Sequence, residues 1–165
     1  MVSLETIEAK LGELRLVKKR CLIVVVRVRL RIVKDDEIVE ASALANSGYE
    51  AETPQLLIPI KLAQLLNLWP PGSSVEESEF ETAGGPLRVW IAPRACKVSV
   101  IVEDAKSREV LADIVISPIA SEVLLSDKMI SELQIALEDV GRGLWRFMWE
   151  PKEKLRRSEP PKYWK

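Results

Sequence analysis

Between residues 20 and 33 the chain alternates. Val24, Val26, Val28, Leu30 and Ile32 fall on one side of an extended backbone, and Val25, Arg27, Arg29 and Arg31 fall on the other. Successive side chains of a strand point to opposite faces, so this period of two demands a sheet with one apolar face. Lys34-Asp35-Asp36-Glu37 reads as a turn, after which residues 37–45 return. A hairpin with Asp35-Asp36 at its tip sets Lys34 opposite Glu37 and Arg31 opposite Glu40, and opposite charges facing across strands support that register. The arginine row is then a paired, solvated face. No aromatic residue interleaves with it to stack bases, which argues against a nucleic-acid groove.

The returning strand is small and apolar and stops abruptly at Asn46-Ser47-Gly48. Asn and Ser hydrogen-bond local backbone, and Gly allows tight angles, so this is a tight polar turn. Leu56-Leu57-Ile58 precedes Pro59, which suits the first turn of a helix over residues 59–67. Trp69-Pro70-Pro71-Gly72 ends that helix. Residues 74–82 are acidic and polar. Gly84-Gly85 between extended runs predicts a hairpin tip. Residues 95–103 and 108–117 read as two further strands joined by Asp104-Ala105-Lys106-Ser107. Leu124-Leu125 leads to Ser126, a good cap for a helix that ends near Leu133. Two extended runs around Gly141-Arg142-Gly143 follow. The last sets Trp145, Phe147 and Trp149 on one face, expected to be exposed to a partner.

A chain of 165 residues is one domain, large enough to bury a core without staples. Residues 1–19, with Ser3 as cap and Leu4, Ile7, Leu11 and Leu14 at helical spacing, read as an N-terminal helical extension. The main domain is expected over residues 20–150. Residues 151–165 form a basic, Pro-containing tail that lacks an apolar period and is expected to be dispensable for folding. The net charge of −1 gives no bias toward nucleic acid or membrane. No apolar run reaches the ~18 residues of a membrane span. Two Cys, Cys21 and Cys96, and no His argue for a reduced, cytoplasmic protein with neither a metal site nor a His-based triad. No cofactor is expected. Two Asn and three Gln stand against 24 Lys/Arg and 25 Asp/Glu, a bias found in proteins from hot environments.

The order of these parts resembles the retropepsin-like aspartic peptidases. The resemblance spans roughly residues 20–148. It is carried by the strand running into Asn46-Ser47-Gly48, the Leu56-Leu57-Ile58-Pro59 segment with its Lys61-Leu62-Ala63 helix, the Gly-tipped hairpin, and the Leu124-Leu125 element with its helix. It implies a mostly β fold, a closed barrel of acid-protease type with short helices, that pairs as a homodimer about a two-fold axis. It further implies a peptide or protein substrate. Asn46 takes the position of the catalytic Asp, Ser47 braces the turn, and Gly48 lets the backbone approach substrate. Ala83, Gly84, Gly85 and Pro86 take the place of the flap, a mobile lid over the substrate.

Two departures matter. Ser126 stands where the family has Gly, and Asn46 stands where it has Asp. The family's paired carboxyls share one proton, so that one acts as base toward water while the other donates to the peptide carbonyl. An amide has no proton to shuttle and cannot act as base. The resemblance therefore implies an aspartic endopeptidase whose acid is replaced, by engineering or by nature. The alternative is a non-catalytic module that binds peptides or partner proteins by strand addition.

Overall fold

The computed structural model describes residues 25–165. The expected helical extension and Cys21 lie outside the described residues. The described chain is mostly β. Strand β1 (Arg27–Lys34) turns through Asp35-Asp36 into β2 (Glu37–Ala45), with Lys34 opposite Glu37 and Arg31 opposite Glu40, as the alternation predicts. Strand β3 (Gln55–Pro59) leads into helix α1 (Ile60–Leu65), with Pro59 at its cap. Next come β4 (Glu76–Thr82), the 16-residue β5 (Gly85–Val100) and β6 (Val110–Ser117). Strand β7 (Val123–Leu125) precedes helix α2 (Asp127–Glu132), and β8 (Ile135–Asp139), β9 (Leu144–Phe147) and β10 (Arg156–Arg157) finish the chain.

Six strands close a barrel in the order β1-β2-β7-β3-β6-β5, and β5 pairs back onto β1. The β2–β7 and β3–β6 contacts are parallel, and the others are antiparallel. Closure removes the free edges that an open sheet would expose. Strands β8, β9 and β10 form a separate small sheet.

The second run of the Gly-tipped hairpin and the strand expected over residues 95–103 are one strand, β5, which ends at Val100. Pairing of β5 with β6 slips between Ala92 and Cys96. Pro93 has no N–H to give the ladder, and Arg94 takes a positive φ of 49°. Asp113 accepts a hydrogen bond from the Arg94 N–H at 2.8 Å. Beyond this irregularity the first half of β5 extends with β4 as a hairpin.

Alternation sorts the apolar side chains into two groups. Val28, Leu30, Ile32, Leu56, Ile58, Ile114, Ile116 and Leu125 fill the barrel. Their neighbours in sequence, Leu57, Val115 and Leu124, belong to a second cluster with Val89, Phe80 and Leu87. Uninterrupted apolar runs at 56–58, 114–116 and 123–125 are what strands covered on both faces require.

Two expectations are corrected here. Arg27 is not a solvated member of the arginine row: it is only 5% exposed and pairs with Glu122, Nε to Oε2, at 2.9 Å. The aromatic row is not an exposed surface either. Trp145 and Phe147 are buried, and only Trp149 is exposed. Arg156 lies over both buried rings, with its guanidinium 5.5 Å and 5.1 Å from their centroids. Burying such large rings contributes far more than leaving them on a surface would.

The last fifteen residues wrap the barrel. Strand β10 pairs with β9, the Glu159 N–H donates to Arg27 O at 2.9 Å, and the Trp164 N–H donates to Ser121 O at 2.7 Å. Ser42 Oγ donates to Pro160 O at 2.7 Å, and the Trp164 ring packs on the core. These contacts remove the ground for regarding the segment as dispensable.

Candidate functional site

The Asn46 turn hangs from the barrel by two backbone bonds. The Ala45 N–H donates to Val26 O at 2.9 Å, and the Asn46 N–H donates to Leu125 O at 3.2 Å. The turn closes on itself, since the Tyr49 N–H donates to Asn46 O at 3.0 Å. Asn46 Oδ1 accepts from the Gly48 N–H at 3.1 Å, the local bond that favours Asn in such turns. A carboxylate oxygen could accept the same bond, so the geometry suits Asp equally well.

The segment after the turn is pinned to the start of α2. The Asp127 N–H donates to Tyr49 O at 2.8 Å, and Asp127 Oδ1 accepts from the Ala51 N–H at 3.0 Å. Ser126 Oγ accepts from the N–H groups of Met129 (3.1 Å) and Gln55 (3.0 Å). It thus caps the helix, as its sequence position predicts, and ties β3 to it. Tyr49 donates its hydroxyl to Gln55 Oε1 at 2.7 Å. Burial, helped by the negative charge of Asp113, pushes that phenol above its ordinary range, so it stays a donor.

The β4–β5 hairpin lies across from this turn. Thr82 pairs with Gly85, so the tip is Ala83-Gly84 rather than Gly84-Gly85. Gly85 has φ +108°, which side chains rarely adopt, while a Cβ there would meet open space; backbone angle, not crowding, requires the glycine. Thr82 Oγ1 donates to Gly85 O at 2.7 Å and accepts from the Gly84 N–H at 3.2 Å.

Between turn and hairpin lies a cleft of about 760 Å³. Asn46, Gly48 and Ala83 line it; Ser47, Gly84, Gly85 and Pro86 do not. The fold thus brings the two expected site segments, separated by more than 30 residues, onto one cavity. Sequence reasoning missed the floor. Leu57, Leu87, Leu124 and Phe80 line the cavity and belong to the second apolar cluster. Their signal was the doubled apolar faces of β3 and β7. Three exposed carboxylates, Glu50, Glu79 and Glu81, also line it.

Among the described residues no group of three or more His, Cys, Asp or Glu is placed to hold a metal ion. The Asn46 side chain offers hydrogen bonds but no acid–base pair, so one chain as it stands has the shape of a binding site without a proton shuttle. The chain matches no protein-family model and no curated protein. No helix of the described residues is long and apolar enough to cross a membrane.

Proposed function

We propose that this chain is one half of a retropepsin-type aspartic endopeptidase, acting on extended peptides as a homodimer and held inert by Asn46. The observation that carries the reading is the cleft. A polar turn at the end of β2 faces a glycine-tipped hairpin across an apolar floor. An extended peptide fits such a space, and a lid must be deformable at its tip. Two copies related by a two-fold axis would bring two position-46 side chains together. With Asp there, the pair would share one proton and split the roles of base and acid. With Asn there, the site keeps its shape and loses its shuttle. The Asn itself favours the second reading, a module that binds peptides without cutting them.

Comparing Asn46→Asp with the unaltered chain on an unfolded protein substrate, between roughly pH 3 and 7 to bracket ordinary carboxyl pKa values, separates the two. Hydrolysis is expected from the Asp form alone, with a maximum on the acid side of neutral, where the coupled pair carries one proton. The gain should be at least the ~10²–10⁴-fold typical of one positioned acid–base group. A folded Asp form inert on varied substrates overturns the peptidase reading in favour of the binding module.

A further inference from the structure

The cleft carries information about what it selects. Its floor is apolar, through Leu57, Phe80, Leu87 and Leu124, and its rim holds Glu50, Glu79 and Glu81. Among the described residues no Lys or Arg lines it. Several carboxylates elsewhere on the barrel are matched. Glu77, on the same strand as Glu79 and Glu81, pairs with Arg88 at 2.9 Å, Glu122 pairs with Arg27, and Glu138 pairs with Arg146 at 2.7 Å. Among the described residues the three rim carboxylates have no salt-bridge partner. A concave surface with three unmatched charges of one sign concentrates the opposite sign, because its low-dielectric walls focus the field.

Backbone geometry adds a second constraint. The consecutive residues Glu79, Phe80, Glu81, Thr82 and Ala83 all line the cavity. Alternating faces cannot account for consecutive residues, so the strand turns its edge toward the space. Among the described residues β4 pairs only with β5, and its other edge is unpaired. An extended peptide lying along it gains main-chain hydrogen bonds and presents successive side chains in opposite directions.

We propose that the cleft selects extended peptides in which a large apolar residue, seated on the Leu57–Leu124 floor, is flanked by Lys or Arg facing Glu50, Glu79 and Glu81. This rests on the peptide-site reading above and adds its substrate class. The apolar residue supplies desolvation, and the basic neighbours supply steering and discrimination against acidic sequences.

The test uses the unaltered chain, which binds without cutting, and labelled ten-residue peptides read by fluorescence anisotropy. One peptide has a Leu-Phe centre flanked by lysines, a second the same centre flanked by glutamates, a third the same centre flanked by serines, and a fourth a serine centre flanked by lysines. The lysine-flanked Leu-Phe peptide should bind about tenfold tighter than its glutamate twin, given the modest strength of exposed charge pairs. Raising the salt should shrink that ratio. The combined Glu79→Gln and Glu81→Gln variant should also shrink it, changing binding of the serine-flanked peptide less than that of the lysine-flanked one. Both residues are exposed, so the melting temperature should not move. The serine-centred peptide should bind weakest among the lysine-flanked pair. Equal affinity for lysine- and glutamate-flanked peptides, or an undiminished preference in the double variant, overturns the charge selection while leaving a peptide site. If none of the four peptides binds, the peptide-site reading falls and this inference falls with it.

Discussion

The two flanks of the barrel are held by opposite means. On the tail flank Glu150 is sunk to 1% side-chain exposure; its carboxylate receives the Phe147 N–H at 2.8 Å and Arg156, and Lys154 Nζ forms an ion pair with Oε2 at 3.0 Å. Arg156 also reaches Asp104 at 2.8 Å and covers two aromatic rings. On the cleft flank, among the described residues, the hairpin tip bonds only within itself, through Thr82, Gly84 and Gly85, over an apolar floor. Charge-assisted bonds to a buried group are strong and directional, whereas apolar contact is not directional. The chain thus fastens one flank by directional bonds and leaves soft the flank that the proposed peptide site would need to open.

Breaking the fastened flank should have the largest effect. Ending the chain after Glu150 removes both basic partners of that carboxylate, the β10 pairing and the Trp164 cover, so the melting temperature should fall by roughly 10–20 °C. A change of only a few degrees, read by circular dichroism, would show that the wrapping contributes little. Glu150→Gln isolates the staple. Removing one partner of a buried pair costs about 3–5 kcal/mol, and the low end is expected because Arg156 keeps Asp104. Denaturant unfolding measures it, and a loss below 1 kcal/mol would contradict the role given to Glu150.

The same staple makes a prediction about acid. Burial raises the Glu150 carboxyl, but Arg156, the Phe147 N–H and Lys154 outweigh it and bring it from 4.5 down to about 2. A pKa lowered by folding contributes stability that is fully present above the unfolded value of 4.5 and is lost as pH falls toward 2. The unaltered chain should therefore hold its stability at the mildly acidic pH where an acid pair works. The gap between it and Glu150→Gln should narrow as pH falls from about 4.5 toward 2. A gap that is flat from pH 7 to 2 would remove the carboxylate as its cause.

Smaller effects belong to the soft flank. Gly85→Ala forces a side chain into φ +108° without any clash, so it should cost about 1 kcal/mol through backbone strain alone. Amide exchange in residues 80–87 should be fast in the free protein and slow with peptide bound. Equal protection in both states would make the hairpin a plain surface turn.

What was legible in the sequence follows the range of the interactions. The β1–β2 register, the helix start at Pro59 and the Ser126 cap depend on neighbours within a few residues, and each was read in place. The junction of the two halves of β5 was missed, because Pro93 and Arg94 resemble a break until Asp113, 19 residues away, is seen to hold the strand together. The Glu150 staple was missed although its partners Phe147, Lys154 and Arg156 lie within six residues of it, because only the fold shows that Glu150 is buried and that Arg156 also reaches Asp104, 52 residues away. The aromatic row was placed on the right strand and the wrong side of the surface, because nothing local tells that Arg156 will cover it. At the site, the turn and the hairpin were found, but the floor between them comes from four strands, β3, β4, β5 and β7, whose apolar faces meet only in the folded chain.

The central claim, that two chains each supply half of one site, is tested most directly by mixing. Asn46→Asp chains refolded with an equal amount of unaltered chains should pair at random, leaving about a quarter of the dimers with two carboxyls. At fixed total protein, hydrolysis should therefore drop to about a quarter of that of the pure Asp form, since only a pair can share the proton. A drop to one half would mean that each chain works alone, and the shared site would be wrong.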